Sequence, residues 1–174
     1  QHYIGGTPDS ADHWQLMKRL MGEIKKWSDD PDELPTSHDD IARDFSVWLA
    51  KARIKAQRDS VRFIVMLDAL NQLKDQDNSR LLGWLPPDAF TGPLRLIVST
   101  LPGDTLDTVK KYGWETLQTE KLTEHERRRM IVDYLKRFSK KLDPARFDRI
   151  IAAPATANPL YLKILLDELR ITGT

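Results

Sequence analysis

The sequence predicts an α/β fold, in which a parallel sheet covered by helices is followed by a helical subdomain. Two runs, residues 61–67 and 94–98, are almost wholly apolar, the pattern of strands buried on both faces of a parallel sheet. Segments with helical periodicity precede each run, and from Thr123 onward only helical periodicity remains. The expected division is residues 1–120 for the α/β part and 121–174 for the helices.

In chain order, His2-Tyr3-Ile4 reads as a short strand and Gly5-Gly6-Thr7-Pro8 as a turn, with Asp9 or Ser10 available to cap a helix. Trp14, Met17, Leu20, Met21, Ile24 and Trp27 then recur at helical spacing. The acidic, proline-bearing stretch 28–35 is a solvated loop, and a second amphipathic helix over 39–58 carries Ile41, Phe45, Trp48, Leu49 and Ala52 on one face. The strand over 61–67 stops at Asp68. Leu81, Leu82, Trp84 and Leu85 suggest a short helix before Pro86-Pro87, and the strand over 94–98 runs into Ser99-Thr100. A helix is expected over 104–111 and a short last strand over 114–117. Thr123-Glu124-His125-Glu126 has the form of a helix-capping sequence, and two further helices are expected over 144–152 and 159–169.

Composition narrows the function. The 174 residues hold 27 Lys and Arg against 26 Asp and Glu, a formal charge of +1, so no long-range field draws the chain to nucleic acid or membrane. The absence of cysteine removes disulfides, thiol catalysis and zinc–thiolate sites. No apolar run approaches the roughly 18 residues of a membrane-spanning helix, and the first residues lack the features of a signal peptide. A cytoplasmic location is therefore expected. The chain opens without Met on a strand already in progress, as a piece cut from a longer protein would.

In open parallel sheets, ligands bind at the carboxyl ends of the strands. Here those ends carry Asp68 and the pair Ser99-Thr100. A carboxylate there can hold Mg²⁺, directly or through water, while the cation bridges to substrate phosphates. A hydroxyl on the neighbouring strand can meet a terminal phosphate or an attacking water. Asp68 can equally cap a turn, and Asn158-Pro159 is also an ordinary N-cap followed by proline at the first helical position.

Taken together, residues 61–73, Leu96-Ile97-Val98-Ser99-Thr100, Leu122-Thr123-Glu124-His125-Glu126 and Ala157-Asn158-Pro159-Leu160-Tyr161-Leu162 resemble the STAND class of P-loop ATPases, in its NACHT-type, nephrocystin-like branch. His2-Tyr3-Ile4 and the turn after it resemble the strand that follows the P-loop helix. The resemblance implies a P-loop NTPase-like parallel-sheet core lacking its first strand and P-loop. It makes Asp68 the Walker B aspartate acting on Mg²⁺ through water, Ser99 and Thr100 a sensor of the γ-phosphate, and Asn158-Pro159 a contact near the adenine. ATP or ADP with Mg²⁺ is the implied cofactor, and the helices after Thr123 move as the nucleotide changes.

Three departures count against fast hydrolysis. Asn71 and Gln72 stand where the family often has acidic residues, and an amide is no general base at neutral pH. Leu101 follows Thr100 where an Arg is common. No G-x-x-x-x-G-K-[ST] occurs, so the backbone cradle for phosphates is missing.

The expected function is part of an ATP-dependent signalling switch that engages protein partners and oligomerises on activation, with neither nucleic acid nor membrane as partner. The alternative is a non-enzymatic protein-interaction module that kept the fold and lost the nucleotide. A phosphohydrolase is a third reading, which would need a second acidic or nucleophilic group beside Asp68. The basic cluster Arg127-Arg128-Arg129 with Lys136, Arg137, Lys140 and Lys141 is interspersed with Glu124, Glu126 and Asp133 and reads as a solvated face. The four histidines show no paired metal spacing, and no G-x-S-x-G marks a nucleophile.

Overall fold

The computed structural model describes residues 9–172, so the expected strand over 2–4 and the turn after it lie outside the described residues. Two compact units divide the chain, Gln1–Thr116 and Leu117–Thr174.

The first unit is built on two helices. Helix α1 (His13–Ser28) starts at Asp12, not at Asp9 or Ser10, which belong to a preceding 3-10 turn. The Asp12 carboxylate accepts the Trp14 N–H at 2.8 Å, satisfying one of the orphan donors of the first turn. Helix α2 (His38–Arg58) is capped in the same way by Ser37. Leu16, Met17, Met21 and Ile24 of α1 share one core with Ile41, Phe45, Trp48, Leu49 and Ala52 of α2. Each such large apolar side chain, fully buried, contributes about 1.5–3 kcal/mol before conformational entropy is subtracted. The acidic loop between the helices is tied down by Lys51, whose ammonium reaches Asp30 at 2.9 Å and Asp32 at 2.5 Å.

Strands β1 (Phe63–Leu67) and β2 (Leu94–Val98) pair in parallel, with Phe63 opposite Leu94 and Leu67 opposite Val98. Among the described residues this two-stranded sheet is the only one. Helices dominate the chain, and the expected α/β class, with its P-loop NTPase-like parallel-sheet core, is overturned. An apolar run fixes a strand but not the width of its sheet. Val65, Leu67 and Leu94 are buried, whereas Ile64, Met66 and Ile97 are 52%, 72% and 53% exposed. One face of the sheet is packed and the other is open, where burial on both was expected.

Two smaller expectations also fail. Residues 114–117 form no strand: Trp114 packs its ring on Tyr112 at 5.5 Å and Leu117 is 93% exposed. The helix expected around 81–85 is a single 3-10 turn, Ser79–Leu81, because Leu82 adopts a left-handed φ of 55° that ends it. Helix α3 (Asp104–Lys111) forms as expected.

Helices are the only regular secondary structure of the second unit among its described residues. Helix α4 (Glu124–Lys136) opens with a full capping box, in which Thr123 and Glu126 each hold the other's backbone N–H. Helices α5 (Pro144–Ala152) and α6 (Pro159–Thr172) follow, each with proline in its first turn. Their core joins Ile131 and Leu135 to Ile151, Leu162 and Leu166. The Arg127 guanidinium binds it from inside, donating to the Ile151 carbonyl at 2.6 Å and to Thr156 Oγ1 at 3.1 Å. No helix among the described residues is long and apolar enough to cross a membrane.

Candidate functional site

The parallel register that sets Leu67 against Val98 carries one step further and places Asp68 beside Ser99. The Ser99 hydroxyl donates to Asp68 Oδ1 in a very short contact and accepts the Ala69 N–H at 2.8 Å. Backbone bonds lock the two strand ends together: Ser99 N–H donates to the Leu67 carbonyl at 2.9 Å, and Leu70 N–H to the Ser99 carbonyl at 3.0 Å. Ala69 takes a left-handed φ of 57°, a conformation that costs an alanine on the order of 1 kcal/mol and turns the chain sharply off the strand. The Asp68 carboxylate is therefore exposed on the carboxyl rim of the sheet, held by its neighbour and not absorbed into the core.

The other residues expected at the site have distinct surroundings. Thr100 Oγ1 donates to the carbonyl of Leu101 at 3.1 Å, closing on its own backbone. Asn71 Oδ1 accepts the Leu101 N–H at 3.1 Å, which ties the segment after β1 to the segment after β2. This structural use of Asn71 was not anticipated from the sequence, where its amide stood out only as a missing carboxylate. In the second unit, Asn158 Oδ1 accepts N–H groups of Leu160 at 2.9 Å and Tyr161 at 3.2 Å, and Pro159 is the first residue of α6. Both act there as a helix start.

Asp68 also lines a trough of about 260 Å³ along β1 beside α1, with Leu16, Leu20, Phe63 and Val65. Arg19 and Glu23, one helical turn apart on α1, line it as well and, with Asp68, are its charged side chains. Periodicity alone gave no reason to single them out.

Chemically, the rim offers one carboxylate and one hydroxyl. No group of three or more His, Cys, Asp or Glu capable of holding a metal exists among the described residues. That excludes an all-protein cage there but suits Mg²⁺, which keeps most of its waters and takes one or two carboxylates alongside phosphate oxygens. The phosphates fit less well. The helix that follows the rim, α3, has Asp104 and Asp107 in its first turn, and these oppose an anion at that N-terminus. Asp68 and Ser99 thus fit a hydrated Mg²⁺, while the described residues supply no cradle for a triphosphate.

No known family's sequence pattern matches the chain, and no solved structure matches it. It is similar to a TPR repeat-containing protein of Dictyostelium discoideum, 27% identical over 207 aligned positions that cover 99% of this chain and 12% of that protein. It is also similar to telomerase protein component 1 of Rattus norvegicus, 20% identical over 178 positions that cover 98% of this chain and 7% of that protein. The chain thus spans about a tenth of the length of either relative. Neither name carries the ATPase class that the motifs resemble.

Proposed function

We propose that the chain is part of an ATP-dependent signalling switch, in which the rim formed by Asp68 and Ser99 contacts the hydrated Mg²⁺ of a bound ATP or ADP. The observation that supports this reading is the pairing of those two side chains at the carboxyl ends of adjacent parallel strands, where an exposed carboxylate can take a cation that keeps most of its waters. In this reading the phosphate cradle comes from outside the described residues. The switch works in the cytoplasm through protein partners and oligomerises when active. Asp68 takes the metal through water, Ser99 orients the carboxylate, and the amides of Asn71 and Gln72 cannot serve as a general base, so hydrolysis is slow.

The test is the melting temperature of the full-length protein with and without ATP·Mg, since a ligand that binds only the folded state must raise it. The expected result is an upward shift in the wild type that Asp68→Ala abolishes. No shift in the wild type would overturn the reading.

A second reading, a non-enzymatic interaction module, draws on different observations. Asn71 spends its amide on the backbone, the rim has no phosphate cradle, and the open sheet face offers Ile64, Met66 and Ile97 to a partner. One relative is a TPR repeat-containing protein, and protein partners fit that company. This reading expects no response to ATP·Mg, but loss of partner capture on Met66→Glu.

A further inference from the structure

We propose that the groove between the end of α4 and the start of α5 docks an acidic amphipathic segment of a partner protein. This site lies wholly within the second unit and does not depend on the nucleotide reading. The groove encloses about 770 Å³, well within the range of sites that seat several side chains. Its floor is apolar: Ile131 and Leu135 from α4, Leu142 from the connection and Phe147 from α5. Val132 stands at its lip, 54% exposed.

Local structure explains why the groove exists. Helix α4 ends in a tight turn in which Ser139 takes a left-handed φ of 55° and the Lys140 N–H returns to the Leu135 carbonyl at 3.1 Å. The turn sends the chain back, so Leu142 faces the helix it has just left, and Asp143 starts α5. Lys140 is fixed as a wall, its ammonium donating to the Arg170 carbonyl at 2.7 Å.

The charges decide the occupant. Lys136 and Lys141 line the groove, both exposed, and neither has a carboxylate partner among the described residues. The acids on the same helices are already engaged. Glu124 and Asp148 pair with Arg128, Asp133 pairs with Arg129, and Asp143 pairs with Arg146. An apolar floor bordered by unmatched ammonium groups complements a segment with apolar residues on one side and Asp or Glu on the other. A nucleic acid would leave the floor empty, and a bilayer is too flat to enter a concave site.

The experiment uses the full chain and a fluorescein-labelled helical peptide of about 15 residues with Leu and Phe on one face and Glu on the other, followed by anisotropy. Wild type should bind this peptide at least about tenfold more tightly than the same peptide with Lys in place of Glu, and the preference should shrink as salt rises. Lys136→Glu combined with Lys141→Glu should reverse the preference, a gain of function that misfolding cannot produce. Val132→Asp should weaken binding of both peptides by about tenfold. All three side chains are exposed, and unchanged circular dichroism will show that α4 persists. Equal binding of the two peptides, or an unaltered preference in the double variant, would overturn the proposal. So would binding of phosphatidylserine vesicles or a DNA oligonucleotide in place of the Glu peptide.

Discussion

Ser99 does two things with one hydroxyl: it hydrogen-bonds the Asp68 carboxylate and receives the N–H of the strained Ala69. Ser99→Ala should cost little stability, about 1 kcal/mol or less, because the site is exposed and water replaces the lost partners. The orientation of Asp68 is another matter. If the rim meets Mg²⁺, Ser99→Ala should reduce the ATP·Mg melting shift partway, Asp68→Ala should remove it, and Ser99→Thr should retain it. A full wild-type shift in Ser99→Ala would show that the hydroxyl only supports the turn.

His13 makes a second prediction at the same scale. Its ring is buried beside Trp14 and Trp84, at centroid distances of 4.4 and 6.1 Å, and Nδ1 is a buried nitrogen without a hydrogen-bond partner among the described residues. Burial lowers its pKa; the carboxylates of Asp12 and Asp77 oppose that shift and the nearby His38 adds to it. A histidine with a lowered folded pKa stays neutral in the fold while the unfolded chain takes up a proton. Its contribution is therefore constant above about pH 6.5, and stability falls as pH drops from there toward the lowered value. Melting curves of the wild type between about pH 7.5 and 5 should show this loss, and His13→Phe should flatten it. An identical slope in both proteins would assign the effect to other groups.

Among the elements, helix caps show how far local chemistry reaches. The box made by Thr123 and Glu126 satisfies two backbone donors at the start of α4. Thr123→Ala should destabilise the helical unit by about 1 kcal/mol, a drop of roughly 4–8 °C in its melting temperature. Thr123→Ser should restore it. Features of this kind were legible in the sequence because capping depends on residues three apart: α4 starts after Thr123 and α5 stands at its expected bounds.

The sheet was less legible, for a physical reason. Whether Ile64 and Met66 are covered depends on elements far away in the chain, and an all-apolar strand carries no alternation to reveal an open face. The acidic loop illustrates the same limit. Residues 29–33 read as solvated, yet the pKa of Asp30 is lowered, chiefly by its hydrogen bond from Lys51 across 21 positions. A depressed acid stabilises the fold above its unfolded pKa, and that support is lost as pH falls below about 4 and on through the lower folded value. Lys51→Met should remove this part of the acid sensitivity, measured as melting temperature against pH. The Asp68–Ser99 pairing lies between these cases: two polar strand ends were visible, but only the register brings them together.

At the scale of the whole chain, two separate hydrophobic cores serve two compact units. The segment joining them, residues 115–121, is fully exposed and has no regular secondary structure. Exposed irregular segments between cores are where proteases cut first, because their backbone can enter an active site without breaking a core. Protease V8, which cleaves after Glu, should therefore act early at Glu115 or Glu120 and release a helical piece that begins at Thr116 or Lys121. The capped α4 and the buried Leu162 and Leu166 give that piece its own core, but about 58 residues support only a marginal one. Two unfolding transitions are expected in calorimetry, the less stable belonging to the helical unit and moved downward by Thr123→Ala, while His13→Phe acts on the other. A single transition shifted as a whole by either substitution would show that the two cores unfold as one.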